Sequence, residues 1–94
     1  MPKVEIYSSD LCPYCRLAKR ILEEAGIGYD ELRIWMIPGW KFPTRNFKEM
    51  KRRTGGKTTV PQIFIDGDYY GDDDTLVADR DRGLLEDKFS VRNL

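Results

Sequence analysis

The chain has 94 residues, with 16 basic and 16 acidic side chains and no histidine, so its formal net charge is zero. A neutral chain has no bulk electrostatic pull toward nucleic acid or a membrane surface, no apolar run approaches the roughly 20 residues that span a bilayer, and chemistry that needs an imidazole base or a histidine metal ligand is excluded. This length predicts a single domain over residues 1–94, expected to be a monomer. The opening MPKVEIY lacks the apolar stretch of a secretory signal, so a reducing, cytoplasmic setting is expected. There are only two cysteines, Cys12 and Cys15. A pair so close together reads as redox or metal chemistry, not as a disulfide scaffold. A closed zinc site takes four ligands and this pair supplies two, so no metal is expected.

Val4 and Ile6 mark a first strand over Lys3–Tyr7, and Ser8–Leu11 turn the chain. A helix is predicted from Pro13, a residue suited to the first helical position. Tyr14, Leu17, Ala18, Ile21, Leu22 and Ala25 recur at helical spacing and Gly26 ends the run. Tyr29–Ile34 reads as a second strand, which completes a βαβ unit with the cysteines at the carboxyl end of its first strand. The next segment, W35-M36-I37-P38-G39-W40-K41-F42-P43, is loop-like by its prolines and glycine, yet it carries both tryptophans. Its apolar residues either fold back on the protein's own core or form a docking surface for a partner protein. A short helix follows, with Asn46 and Glu49 as a capping box and Gly55-Gly56 at its far end. Asp66-Gly67 between two strand-like runs predicts a tight hairpin. From Asp73 the chain reads as helical, broken or bent at Gly83.

The first turn of a helix leaves backbone N–H groups unpaired and carries partial positive charge. Cys12 falls at that terminus, where a thiolate is stabilised. Cys15 lies one turn on, beside Ala18 and Leu22, on the shoulder of the apolar stripe. The spacing therefore predicts two unequal thiols: an exposed Cys12 that attacks a disulfide and a shielded Cys15 that resolves the mixed disulfide. Arg16, Lys19 and Arg20 in the first half of this helix, with Glu23 and Glu24 in the second, run against the macrodipole preference. Either the cations serve an anion at Cys12, or they form a solvated face with Lys19–Glu23 and Arg20–Glu24 pairs.

With C12-P13-Y14-C15, then T59-V60-P61 and then G71 before Asp74, the sequence resembles a glutaredoxin, in order and spacing over nearly the whole chain. The resemblance implies a thioredoxin-like α/β fold, a four-stranded mixed sheet flanked by about three helices. It implies a cis Val60–Pro61 bond that turns the Val60 backbone toward Cys12, where the Thr59–Val60–Pro61 segment would pair with glutathione as a short added strand. It further implies that Tyr14 lines the glutathione groove and that the Asp73 backbone N–H and Asp74 side chain hold the γ-glutamyl end. Lys48, with Arg45 as a second candidate, would meet the glycyl carboxylate. Helix capping is the competing reading of the acidic residues.

The activity implied is glutathione-dependent thiol–disulfide exchange through Cys12 and Cys15, acting on protein disulfides or protein–glutathione mixed disulfides, with glutathione as co-substrate. The sequence departs from the family pattern at three places. Ser9 stands where a lysine is usual, Asp72 follows Gly71 where a second glycine is usual, and Thr75 replaces the second acid of a pair. The departures at Ser9 and Asp72 favour a rival reading, a dedicated electron donor, for instance to ribonucleotide reductase, recharged by thioredoxin reductase, while T59-V60-P61 and Asp74 argue against it. A glutathione-bridged iron–sulfur dimer is a further alternative.

Overall fold

Alternation along the first strand, β1 (Val4–Ser8), divides the molecule in two. Successive strand side chains point to opposite faces, so Val4 and Ile6 enter one apolar cluster and Tyr7 enters another. In the computed structural model, which describes residues 2–9, 12–34 and 45–89, the chain continues as α1 (Pro13–Glu24), β2 (Asp30–Arg33), α2 (Arg45–Arg53), β3 (Gln62–Ile65), β4 (Asp68–Gly71), α3 (Asp73–Asp81) and α4 (Leu85–Phe89). The sheet order is β2-β1-β3-β4. β1 runs parallel to β2 and antiparallel to β3, and β3 is antiparallel to β4. This is the mixed four-stranded sheet implied by the resemblance. Among the described residues there are four helices where about three were expected, because the predicted final helix separates into α3 and α4 around Gly83.

One face of the sheet packs Val4, Ile6 and Ile63 against Ala18, Ile21 and Leu22 of α1, Leu76 of α3, and Leu85 and Phe89 of α4. The opposite face packs Tyr7 and Phe64 against Met50 and Phe47 of α2, together with Leu32 and Ile34. A set of polar contacts ties α2 to that second face. Arg53 donates to the Tyr7 hydroxyl (2.9 Å) and to Glu5 (3.0 Å), and its guanidinium lies over the Phe64 ring at 3.9 Å. Tyr7 in turn donates to Glu49 (2.9 Å). Burial raises the Tyr7 hydroxyl above its ordinary range, so it remains the donor that Glu49 needs.

Several local expectations hold. α1 begins at Pro13 and is followed by Gly26. The hairpin turns at Asp66 and Gly67, whose φ angles of 51° and 85° are the paired positive values of the turn that matches strand twist. Others need correction. The apolar stripe of α1 is centred one residue later than predicted, on Cys15, Ala18, Ile21 and Leu22, and Tyr14 is 60% exposed. Asn46 is no cap: it lies inside α2 and donates to the Arg33 carbonyl across to the end of β2 (2.7 Å). Glu49 serves Tyr7 and Arg53 instead of the helix terminus. The Trp35–Pro43 segment, and with it the choice between core packing and docking, lies outside the described residues. No helix among the described residues is long and apolar enough to cross a membrane.

Candidate active site

Cys12 is the N-cap of α1. Its backbone is extended (φ −100°, ψ 111°), its carbonyl accepts from the Arg16 N–H (3.3 Å), and its Sγ accepts from the Cys15 N–H (3.3 Å). A serine or aspartate oxygen usually occupies this position; here a sulfur receives the unpaired donor of the first turn. Pro13 at the first helical position has no N–H to satisfy, so the terminus presents its remaining donors around Cys12. The thiol is partly exposed.

Cys15 is fully buried, on the inward face of α1 that also carries Ala18 and Leu22. Burial pushes its thiol up to about 12, and the neighbouring Cys12 adds to the rise. The two sulfurs are therefore as unequal in setting as the spacing predicted. One is reachable at a helix terminus, and the other is a buried thiol one turn behind it.

The Val60–Pro61 bond is cis and Pro61 is buried. Cys12 Sγ donates to the Val60 carbonyl at 3.7 Å, which brings together two segments 48 residues apart in sequence. β1 and β3 run antiparallel side by side, so the end of β1 that leads toward the cysteines lies beside the start of β3, where Pro61 sits.

The other candidate residues have simpler settings. Tyr14 is exposed on α1 beside the cysteines. Asp73 and Asp74 open α3, but the cap is Asp72, which forms a full capping box with Thr75. The Asp72 carboxylate accepts from the Thr75 N–H (3.2 Å), and Thr75 Oγ1 accepts from the Asp72 N–H (3.4 Å). Thr75, a departure from the family pattern, thus has a structural task. Gly71 must precede it, since a Cβ there would lie 2.4 Å from Thr75 Oγ1. Burial, reinforced by Asp74 and Asp72, raises the Asp73 carboxyl above its usual range. Lys48 and Arg45 are exposed on α2 and have no ion-pair partner among the described residues.

The charge pattern of α1 resolves differently from the expectation. Lys19 pairs across to Glu31 of β2 (2.6 Å), where Ser8 also donates (2.5 Å) and Arg33 adds a weaker contact at 3.5 Å. Glu23 accepts from the Tyr29 hydroxyl (2.7 Å). Neither end of the expected Lys19–Glu23 pair is used for it, and Lys19 is committed to Glu31. Lys19 and Ser8 hold the Glu31 carboxyl below its usual range.

Sequence reasoning also missed Gln62. It is 1% exposed and opens β3 directly after Pro61. A signal for it was present: Gln62 is in phase with buried Phe64 on the strand, so its amide had to find partners inside.

A family model described as Glutaredoxin matches residues 4–70. Glutaredoxin 3 of Escherichia coli K12 is 42% identical over 86 residues, which cover 92% of this chain and 95% of that protein. The solution structure of a glutaredoxin from Brucella melitensis superposes with a TM-score of 0.74 at 34% identity, covering 100% of this chain and 95% of that one. A buckwheat glutaredoxin–glutathione complex has the same fold, with a TM-score of 0.75 at 21% identity over 96% of this chain and 78% of its own. Matched over most of its length, and with its cysteine pair set against a cis-proline turn, the chain belongs to the glutaredoxin family of thiol–disulfide oxidoreductases.

Proposed function

We propose that this chain is a glutathione-dependent reductant of protein disulfides and protein–glutathione mixed disulfides, working as a cytoplasmic, single-domain monomer. The observation that carries the reading is the reachable Cys12 sulfur at the start of α1, within 3.7 Å of the Val60 carbonyl and one turn ahead of a buried second thiol. In the monothiol route the Cys12 thiolate attacks the glutathione sulfur of a mixed disulfide. A Cys12–glutathione bond forms and the protein leaves as a thiolate that takes up a proton. A second glutathione thiolate then attacks the bound glutathione sulfur, releasing glutathione disulfide and free Cys12. In the dithiol route Cys12 first forms a mixed disulfide with a protein substrate. Cys15 gives up its proton and attacks Cys12 Sγ, the remaining substrate sulfur leaves as a thiol, and two glutathiones reduce the Cys12–Cys15 bond.

Glutathione would lie along Thr59, Val60 and Pro61, with Tyr14 lining the groove. The N–H of Asp73 would receive the γ-glutamyl carboxylate, the Asp74 carboxylate its amino group, and Lys48 the glycyl carboxylate. The half-exposed setting of Cys12, the exposed ring of Tyr14 and the exposed Lys48, which has no ion-pair partner among the described residues, support this reading. One observation favours a second reading, an electron donor recharged by thioredoxin reductase. Asp72, Asp73 and Asp74 crowd three carboxyls at the start of α3, and the raised Asp73 carboxyl reflects that crowding as well as burial.

The test is to oxidise the protein and count free thiols over time with glutathione alone, or with NADPH and thioredoxin reductase. Rapid recovery of both thiols with glutathione is expected. Recovery only with the reductase would replace the first reading by the second.

A further inference from the structure

We infer that Gln62 is a positioning residue for thiol exchange: with Tyr69 it clamps the Thr59–Val60 backbone at the height of Cys12, so that a peptide-bearing disulfide finds its pairing edge already in place. The inference rests on the functional reading above and assigns to it a residue outside the CPYC and TVP segments.

Gln62 Nε2 donates to the Thr59 carbonyl (2.9 Å) and to Thr59 Oγ1 (3.2 Å), and its Oε1 accepts from the Tyr69 hydroxyl (2.6 Å). A backbone carbonyl can only accept, so the amide has one possible orientation, and Tyr69 must be the donor on the other side. Burial, with Asp72 adding to it, raises the Tyr69 hydroxyl above its ordinary range, so it keeps that proton. The Tyr69 ring is itself braced, 5.4 Å from Phe64, with the Lys57 ammonium over the ring at 5.9 Å.

Few other hydrogen bonds hold this segment. Among the described residues, the stretch from Thr58 to Val60 is tied by hydrogen bonds only to Gln62 and to Cys12 Sγ. The second of these depends on redox state. A thiol has a hydrogen to give to the Val60 carbonyl, but a Cys12 sulfur in a disulfide has none, so that bond is lost at the stage when the bound partner must be held. Gln62 has no such dependence. Its amide holds Thr59 in every redox state, from a strand whose register opposite Tyr7 is fixed by the sheet.

Two attacking disulfides separate positioning from a general defect. In a single turnover the reduced protein's Cys12 thiolate attacks oxidised glutathione, a peptide disulfide, and expels a glutathione thiolate. With dithiobis(nitrobenzoate), which has no peptide backbone, it expels the thionitrobenzoate anion. Gln62→Met keeps the shape and removes all three hydrogen bonds. It is expected to slow attack on oxidised glutathione about tenfold, an effect of lost alignment, while attack on the aryl disulfide changes less than twofold. Tyr69→Phe, which leaves Thr59's partners in place, is expected to show the same selectivity at about threefold. Equal slowing with both disulfides, or no slowing with either, overturns the proposal. Should Gln62→Met fail to fold, Tyr69→Phe decides by the same ratio. A readout free of glutathione is the 15N order parameter of the Val60 amide. It is expected to fall from about 0.85 toward the flexible range below about 0.6 in Gln62→Met, and an unchanged value refutes the clamp. A wild-type protein inert to glutathione would sink the functional reading instead, leaving the order parameter to judge Gln62.

Discussion

The buried thiol offers the sharpest numerical consequence. An ordinary cysteine titrates at about 8.5, whereas burial pushes Cys15 to about 12. At pH 7.5 that difference leaves roughly three thousandfold less thiolate on Cys15 than on an unfolded cysteine, and the thiolate is the species that alkylates. Iodoacetamide applied to the reduced protein, with peptide mass mapping over time, is expected to label Cys12 and to label Cys15 at least about a hundredfold more slowly than the same residue in urea. Labelling of Cys15 within tenfold of its unfolded rate would refute the reading of Cys15 as a buried thiol that stays protonated. The same shift fixes a sign for stability. The folded state holds this proton more tightly than the unfolded one, so the contribution is complete below about pH 8.5 and is lost as the pH rises toward about 12. Urea midpoints should therefore decline across that alkaline window, and less so in Cys15→Ala.

Arg53→Met removes the donor shared by Tyr7 and Glu5 and leaves the half-buried Glu5 carboxylate without it. A loss of about 2–3 kcal/mol is expected, seen as a fall of about 10 °C or more in Tm, with the aryl-disulfide reaction of the folded protein unchanged. Lys19→Met should destabilise at pH 7 by about 1 kcal/mol. Because Lys19 and Ser8 lower the Glu31 carboxyl, that contribution is present above its ordinary range and disappears as pH falls below it. The gap between wild type and Lys19→Met in urea should accordingly narrow at pH 3. Gly71→Ala would drive a Cβ into the Thr75 side chain at a position with φ of 154°. A loss of about 2 kcal/mol or more is expected in thermal melts, and a variant as stable as wild type would contradict the close approach at the start of α3.

The elements were legible because their signals are short-range. Proline at the first turn, the 3.6-residue apolar spacing and the Asp66-Gly67 turn each act within a few residues, and α1 and the β3–β4 hairpin appear where these signals put them. The two cysteines were legible for the same reason, since the spacing leaves Cys12 at the cap, outside the first turn, and Cys15 within that turn beside the apolar stripe. The TVP segment was legible only through its resemblance, and its approach to Cys12 is a product of sheet pairing.

Partner choice was not legible. Lys19 had Glu23 one turn away and took Glu31 instead, because β2 places that carboxylate, with Ser8, beside α1. Asn46 and Glu49 fit a capping box as a string, but their side chains are used across the sheet, where the buried Tyr7 and largely buried Arg53 need polar partners more than a helix end does. Capping passed to Asp72 and Thr75 at another helix, beside a glycine that leaves room for the threonine. The amino-acid order therefore determined which segments are helix or strand and which two sulfurs are set in contrast. The packed molecule decided which charge meets which and what braces the turn facing Cys12. The reason is that burial, by removing water as a competitor, makes a distant partner worth more than a neighbouring one.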